Sequence, residues 1–224
     1  MMLGTLFIVA TPIGNLEDIT LRALNTLREV DIILCEDTRV TSKLLMHYEI
    51  DTHTLSYHQH SSDSKKDEIA NLIINGKNLA LVTDAGTPGI SDPGNELIDC
   101  LLKNLPDLKI IPIPGASAIT SALSVSGFKT NNFVFLGFMP KKGKTRLLDW
   151  IKAGRFNFAF YESPFRVVKS LNEIKATFGD VRIMVAREIT KMYEEILRGN
   201  ISEVLKTLQS KSVKGEIVVV VEIE

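Results

Sequence analysis

Short apolar runs that end in proline-glycine turns and lead into amphipathic segments constrain this chain more than any other feature. The fullest case is VTDAGTPGISDPG, Val82–Gly94, thirteen residues holding three glycines and two prolines. It lies between the apolar run Leu79–Val82 and the amphipathic run Glu96–Leu102. That is the profile of a loop leaving the carboxyl end of a buried strand and feeding a helix. A plain turn needs only one or two such residues. Glycine lets backbone approach a ligand closely and proline holds the shape. Ligands of open α/β sheets bind outside the carboxyl ends of the strands. The stretch therefore reads as a ligand loop.

The same grammar recurs. Leu6–Ala10 is a first strand closed by Thr11-Pro12-Ile13-Gly14-Asn15, and Lys109–Ile113 is closed by Pro114-Gly115-Ala116-Ser117-Ala118. Strands are also expected at Asp31–Cys35, Thr54–Tyr57 and Leu79–Thr83. Helices are expected through Leu21, Leu24 and Leu27, over Thr38–Tyr48, up to Ile74 with Gly76 behind it, and over Asn95–Leu102. Alternating strand and helix implies a parallel sheet with right-handed crossovers. The second half reads differently. Strands are expected at Phe133–Phe138, Phe156–Tyr161, Arg182–Ala186, Glu195–Arg198 and Glu216–Glu222. Helices are expected over Thr145–Lys152, Pro164–Phe178 and Ser202–Gln209. The run EIVVVVEIE suits a strand buried on both faces. The fold expected is α/β in two domains, residues 1–113 with a mostly parallel sheet and residues 114–224 with a mixed sheet.

Composition enters by exclusion. A net charge of −1 gives no bulk positive field for non-specific nucleic-acid binding. Cys35 and Cys100 stand far apart, with no CxxC and no histidine at ligand spacing, so neither a disulfide framework nor a metal site is expected, and a reducing cytoplasm is. The apolar start lacks a basic region and a cleavage site, and no apolar run reaches membrane-spanning length. No GxGxxG follows the first strand, which disfavours a dinucleotide site. Gly137–Thr145 ends in GKT, but five residues separate its glycines where a phosphate loop has four, and Pro140 removes an N–H donor. Its Lys141, Lys142, Lys144 and Arg146 remain candidates for RNA phosphates. His58 and His60 lie in a polar loop without an evident third ligand.

The three glycine-proline loops carry few charges, chiefly Asp84 and Asp92. They offer backbone groups and small hydroxyls, which suits a flat, polar, partly buried ligand better than a triphosphate. A side chain at Gly86, such as valine, is expected to intrude on that ligand.

The runs VATPIGNLEDIT, EDTR, DAGTPGISDPG, PGASA, SGF, YESPFR, ARE-TK and KGEIVVVVE together resemble the ribosomal RNA small subunit methyltransferase I family of the tetrapyrrole methylase superfamily, from Leu6 to about Val221. The resemblance implies two α/β domains with S-adenosylmethionine in the cleft between them. It implies 2′-O-methylation of a cytidine in the decoding region of 16S rRNA within the small ribosomal subunit, by a cytoplasmic homodimer needing no metal or membrane. It assigns Pro12, Asp84, Ala85, Gly86, Thr87, Ile90, Ser117, Ala118, Tyr161 and Ala186 to the cofactor. A weak hydroxyl nucleophile would gain from a base, for which Glu36, Asp37, Glu162 and Glu188 are candidates. Each could instead serve as a helix cap or an ion-pair partner. Arg39, Arg166, Arg187 and Lys191 are candidate rRNA phosphate contacts. The rival expectations are a methylase of a tetrapyrrole or other small substrate, and a non-catalytic ribosome-binding protein.

Overall fold

In a computed structural model that describes residues 3–223, the chain divides into two compact units, Met1–Ser117 and Ala118–Glu224. Each is an α/β unit. The turn Pro114–Ser117, which the sequence expectation placed with the second half, packs with the first.

In the first unit, strands β1 (Thr5–Val9), β2 (Ile32–Cys35), β3 (Thr54–Ser56), β4 (Leu79–Leu81) and β5 (Lys109–Ile113) form one parallel sheet in the order β3-β2-β4-β1-β5. Helices α1 (Leu21–Glu29) and α2 (Thr38–His47) cover one face, where Leu27 and Leu45 pack with Val9, Ile33 and Ala80. Helices α3 (Asp63–Ile74) and α4 (Asn95–Asn104) cover the other, where Ile69, Ile73, Leu97 and Leu101 meet Leu6, Leu34 and Leu81. Burial on both faces explains why these strands read as continuous apolar runs rather than alternating ones. The helix starts follow local chemistry: Thr20 caps α1 through the Ala23 N–H, and Asp37 caps α2 through the Arg39 N–H. The order has a functional consequence. β4, β1 and β5 are neighbours, so the three glycine-proline loops emerge side by side at one end of the sheet.

The second unit has helix α5 (Ala118–Ser126), then β6 (Phe133–Phe138), α6 (Lys144–Gly154), β7 (Asn157–Glu162), α7 (Val167–Phe178), β8 (Arg182–Arg187), β9 (Glu195–Asn200), α8 (Ile201–Gln209) and β10 (Ile217–Val221). Its sheet runs β6-β7-β10-β8-β9. β6 and β7 are parallel and the other pairings antiparallel, so the sheet is mixed. The apolar run EIVVVVEIE becomes the central strand, with every residue of β10 buried. Val219 packs toward Phe158, Phe160 and helices α6 to α8, while Val218 and Val220 face α5. The helix expected from Pro164 begins only at Val167. Ser163–Arg166 is instead a turn whose Ser163 carbonyl accepts from the N–H groups of Arg166 and Val167.

Among the described residues, no helix is long and apolar enough to cross a membrane.

Phe160 is fully buried in the larger core of the second unit. Phe160→Ala should therefore cost about 3–5 kcal/mol of stability, measured as a lowered midpoint in denaturant unfolding.

Candidate functional site

The loops that follow β1, β4 and β5 are stitched together. Thr11 and Gly86 exchange backbone hydrogen bonds of 2.9 and 3.0 Å, joining the loop after β1 to the loop after β4. The buried Thr11 hydroxyl donates to the Thr83 carbonyl at 3.1 Å. The Thr87 hydroxyl donates to the Ala116 carbonyl at 3.2 Å, which brings in the loop after β5. A β-carbon at Gly115 would stand 3.0 Å from that of Ala10, so only glycine lets these two loops approach so closely. The Asp37 N–H donates to the Asp84 carboxylate at 3.3 Å, which ties the loop after β2 to the same cluster.

The result is a braced rim of small residues. Pro12 and Gly86 are buried in it, Thr87 and Ser117 are half-buried, and Asp84, Ala85 and Ile90 are exposed. Gly86 has φ +85°, and an added β-carbon there would meet Ile13 at 3.4 Å and the Ala116 carbonyl at 3.9 Å, both ordinary contacts. A valine at this position would first strain the backbone, because β-branched residues avoid that region. Gly86→Val is thus a test of the loop's conformation more than of ligand space.

Beside the rim, a cleft of about 520 Å³ opens between Asp84, the EDTR turn and the polar loop of His58 and His60. Two carboxylates there differ sharply. Asp37 accepts from Arg39 Nε at 3.0 Å and Nη2 at 2.7 Å, and this pairing, with the Arg39 N–H, holds its carboxyl down to about 2. Glu36 is half-buried, and among the described residues no hydrogen bond or ion pair engages its carboxylate. Burial pushes its carboxyl up, and repulsion from Asp84 and Asp37 adds to the shift against a smaller opposing effect of His58. The His58 Nδ1 accepts the His60 N–H at 3.2 Å.

The remaining acidic candidates lie in the second unit and are engaged. The side chain of Glu162 is fully buried. It accepts from the Ser170 hydroxyl at 2.5 Å and the Ser163 N–H at 2.8 Å, and it pairs with Arg166 at 3.4 Å. Glu188 accepts from the Glu216 N–H at 2.8 Å and from Lys191 at 3.2 Å, and these bonds lower its carboxyl. The basic candidates are engaged by the same contacts. Arg39 holds Asp37, Arg166 holds Glu162 and the Met139 carbonyl, Arg187 holds Glu195, and Lys191 bridges Glu188 and Glu216. The EDTR and YESPFR motifs and the Glu188–Lys191 pair of ARE-TK each fold an acid onto their own base. Lys144 of the GKT run is also turned away from any phosphate cradle and bonds Ser170 and Glu173.

Tyr161 and Ala186 stand in one register row, each opposite Val218 of β10. Both pack with the cluster under α5. Sequence reasoning missed how Tyr161 is framed. A bulge in β6, with Gly137 at φ +61°, inserts one residue between Phe135 and Phe138, and both rings then meet Tyr161 edge-on, at 5.0 and 5.5 Å. An isolated glycine inside a strand run was the available signal.

The family model for Tetrapyrrole (Corrin/Porphyrin) Methylases matches residues 5–205. Over 221 residues the chain is 44% identical to the ribosomal RNA small subunit methyltransferase I of Halalkalibacterium halodurans, which covers 98% of this chain and 76% of that protein. It is 46% identical over 219 residues to the protein of the same name from Thermotoga maritima, covering 97% and 98%. A crystal structure of diphthine synthase superposes with a TM-score of 0.75 at 13% identity, over 98% of this chain and 90% of that one, which is a likeness of fold.

Removing the buried Glu162 carboxylate would strand Ser170, the Ser163 N–H and Arg166. Glu162→Ala should therefore cost about 3–5 kcal/mol, whereas Asp37→Asn, at an exposed pair, should leave the thermal midpoint nearly unchanged. Calorimetric unfolding of the two variants checks the contrast.

Proposed function

This chain belongs to the ribosomal RNA small subunit methyltransferase I family of tetrapyrrole methylases, and from that premise we propose that it is an S-adenosylmethionine-dependent methyltransferase acting on the 2′-oxygen of a cytidine in the decoding region of 16S rRNA. The observation that carries the reading is identity of 46% across nearly the full length of both chains in the Thermotoga maritima relative. On this reading the protein's partners are the small ribosomal subunit and a second copy of the chain, in the cytoplasm.

The rim residues suit the cofactor. Asp84 offers an exposed carboxylate to a hydroxyl or a cation. Ala85 and Ile90 offer small apolar surface, and Gly86 brings backbone close without a side chain. We assign Pro12, Asp84, Ala85, Gly86, Thr87, Ile90, Ser117 and Ala118 to cofactor binding, with Tyr161 and Ala186 from the second unit. S-adenosylmethionine, when bound, supplies a methyl group activated by a sulfonium.

The chain's own task is alignment and proton handling. The target hydroxyl must be held in line with the methyl group, which lowers the barrier by removing the entropy of encounter. Its proton needs an acceptor with a free lone pair. Asp37 and Glu162 have both oxygens committed to arginine, serine or backbone donors, and Glu188 is held through Oε1 by the Glu216 N–H and Lys191. We assign the role of general base to Glu36, whose carboxylate is uncommitted, faces the cleft and is made more basic by burial. His58 lines the same cleft.

Two measurements follow. Ala85→Leu should weaken S-adenosylmethionine binding at least tenfold by calorimetry while the unfolding midpoint stays put; wild-type affinity would remove the rim from the cofactor site. In methylation of 30S subunits and bare 16S rRNA, mapped by mass spectrometry, Glu36→Gln should lower kcat by about 10²–10⁴-fold. The wild-type rate should rise as pH climbs through the raised Glu36 value, because the base acts only when ionised, and that limb should vanish in the variant. Transfer to a porphyrin and not to rRNA would overturn the assignment of substrate.

A further inference from the structure

One end of the second sheet displays more apolar surface than its packing requires. β7 and β8 both run antiparallel to β10, so the loops after them leave the same end, and β6, parallel to β7, finishes there too. Phe165, after β7, is 94% exposed. After β8, Met192 is 90% and Tyr193 70% exposed, and Phe138 at the end of β6 is 62% exposed. Single exposed apolar residues are ordinary, but a group on three strand ends points to a partner.

The loops that carry these side chains are stiff. Glu188 and Thr190 have φ of +50° and +66°, and a β-branched residue in that region is under strain. The buried Thr190 hydroxyl finds no hydrogen-bond partner among the described residues. The loop is held regardless: Glu194 accepts the Thr190 N–H at 2.6 Å, and Lys191 reaches both Glu188 and Glu216. On the neighbouring loop the Ser163 hydroxyl accepts the Phe165 N–H at 3.2 Å, and Arg166 is fixed to the Met139 carbonyl at 2.7 Å. Strain maintained by such bonds is typical of functional segments. Here it is confined to the loop that carries Tyr193, and hydrogen bonds fix the backbone of both loops.

The surroundings select the partner. Lys141 and Lys142 follow β6, and Lys214 precedes β10; these three lysines form no ion pair among the described residues. Lysine is depleted from the core of protein–protein contacts. Exposed aromatic rings at the same sheet end as these lysines match single-stranded nucleic acid, whose bases stack and whose phosphates need positive charge. The register row of Tyr161 and Ala186, assigned above to the cofactor, lies one residue inside this same end.

We propose that Phe165 and Tyr193 are substrate-positioning residues that stack on unpaired bases of the RNA beside the target nucleotide, with Lys141, Lys142 and Lys214 meeting its phosphates. This rests on the reading of the chain as an rRNA methyltransferase, and it specifies which surface holds the splayed strand.

The test compares Phe165→Ala, Tyr193→Ala and the double variant with Phe165→Trp, Tyr193→Phe and Phe165→Leu. Each alanine variant should raise KM for 30S subunits about five- to hundredfold, with kcat, S-adenosylmethionine affinity and sedimentation coefficient unchanged. The aromatic replacements should keep KM within about twofold, and Phe165→Leu should not. Wild-type KM in the double variant, full rescue by leucine, or a smaller sedimenting species would each overturn the proposal, the last because the rings would then cover a second copy. A parallel arm measures binding of a fluorescein-labelled, unstructured RNA oligonucleotide. If the wild type methylates no rRNA, the functional reading fails; weaker oligonucleotide binding by the alanine variants would still support the surface, and unchanged binding would overturn it.

Discussion

Two backbone hydrogen bonds between Thr11 and Gly86 are the constraint on which the first unit's rim depends. They join loops that leave neighbouring strands, and they fall where the backbone has already turned out of the sheet. Gly86 can make them because it adopts a positive φ that other residues resist. Once that bridge exists, the Thr11 and Thr87 hydroxyls have carbonyls within reach, and the loops after β1, β4 and β5 become one body. A ligand that docks there meets a surface whose ordering cost was met on folding. That is the main route by which rigid loops gain affinity.

Electrostatics divides the polar residues by task. Asp37, Glu162 and Glu188 are acids placed within reach of a base from their own segment, and each uses it to lock a turn at a strand's end. Locked pairs of this kind resemble active-site residues when only composition is seen. Glu36 differs by omission. It is half-buried, repelled by Asp84, and left without a donor among the described residues. An acceptor with free lone pairs beside a cleft is what proton removal from a sugar hydroxyl requires.

The second unit uses the same economy of strand ends for another purpose. Because β7 and β8 run parallel on either side of β10, their loops leave one end of the sheet, where β6 with its bulge also finishes at Phe138. None of these aromatic side chains is needed for the core, which Phe158, Phe160 and the valines of β10 fill from the other residues of the same strands.

The sequence by itself determined the two α/β layers, their strand positions to within a residue or two, the central burial of EIVVVVEIE and the three glycine-proline loops. These follow from local periodicity and from backbone conformations that only glycine and proline favour. The place of Asp84 and Gly86 on the loop after β4 was legible for the same reason, and the joint occurrence of the motifs made the family legible. Tertiary structure alone decided which acids were free. Asp37, Glu162 and Glu36 are indistinguishable in a string of letters, and their difference lies in whether Arg39 or Ser170 comes within hydrogen-bonding distance. It also decided that Phe138, Phe165 and Tyr193 gather at one sheet end. Strand order and a one-residue bulge set that gathering, and both are properties of pairing between distant segments that no local pattern encodes.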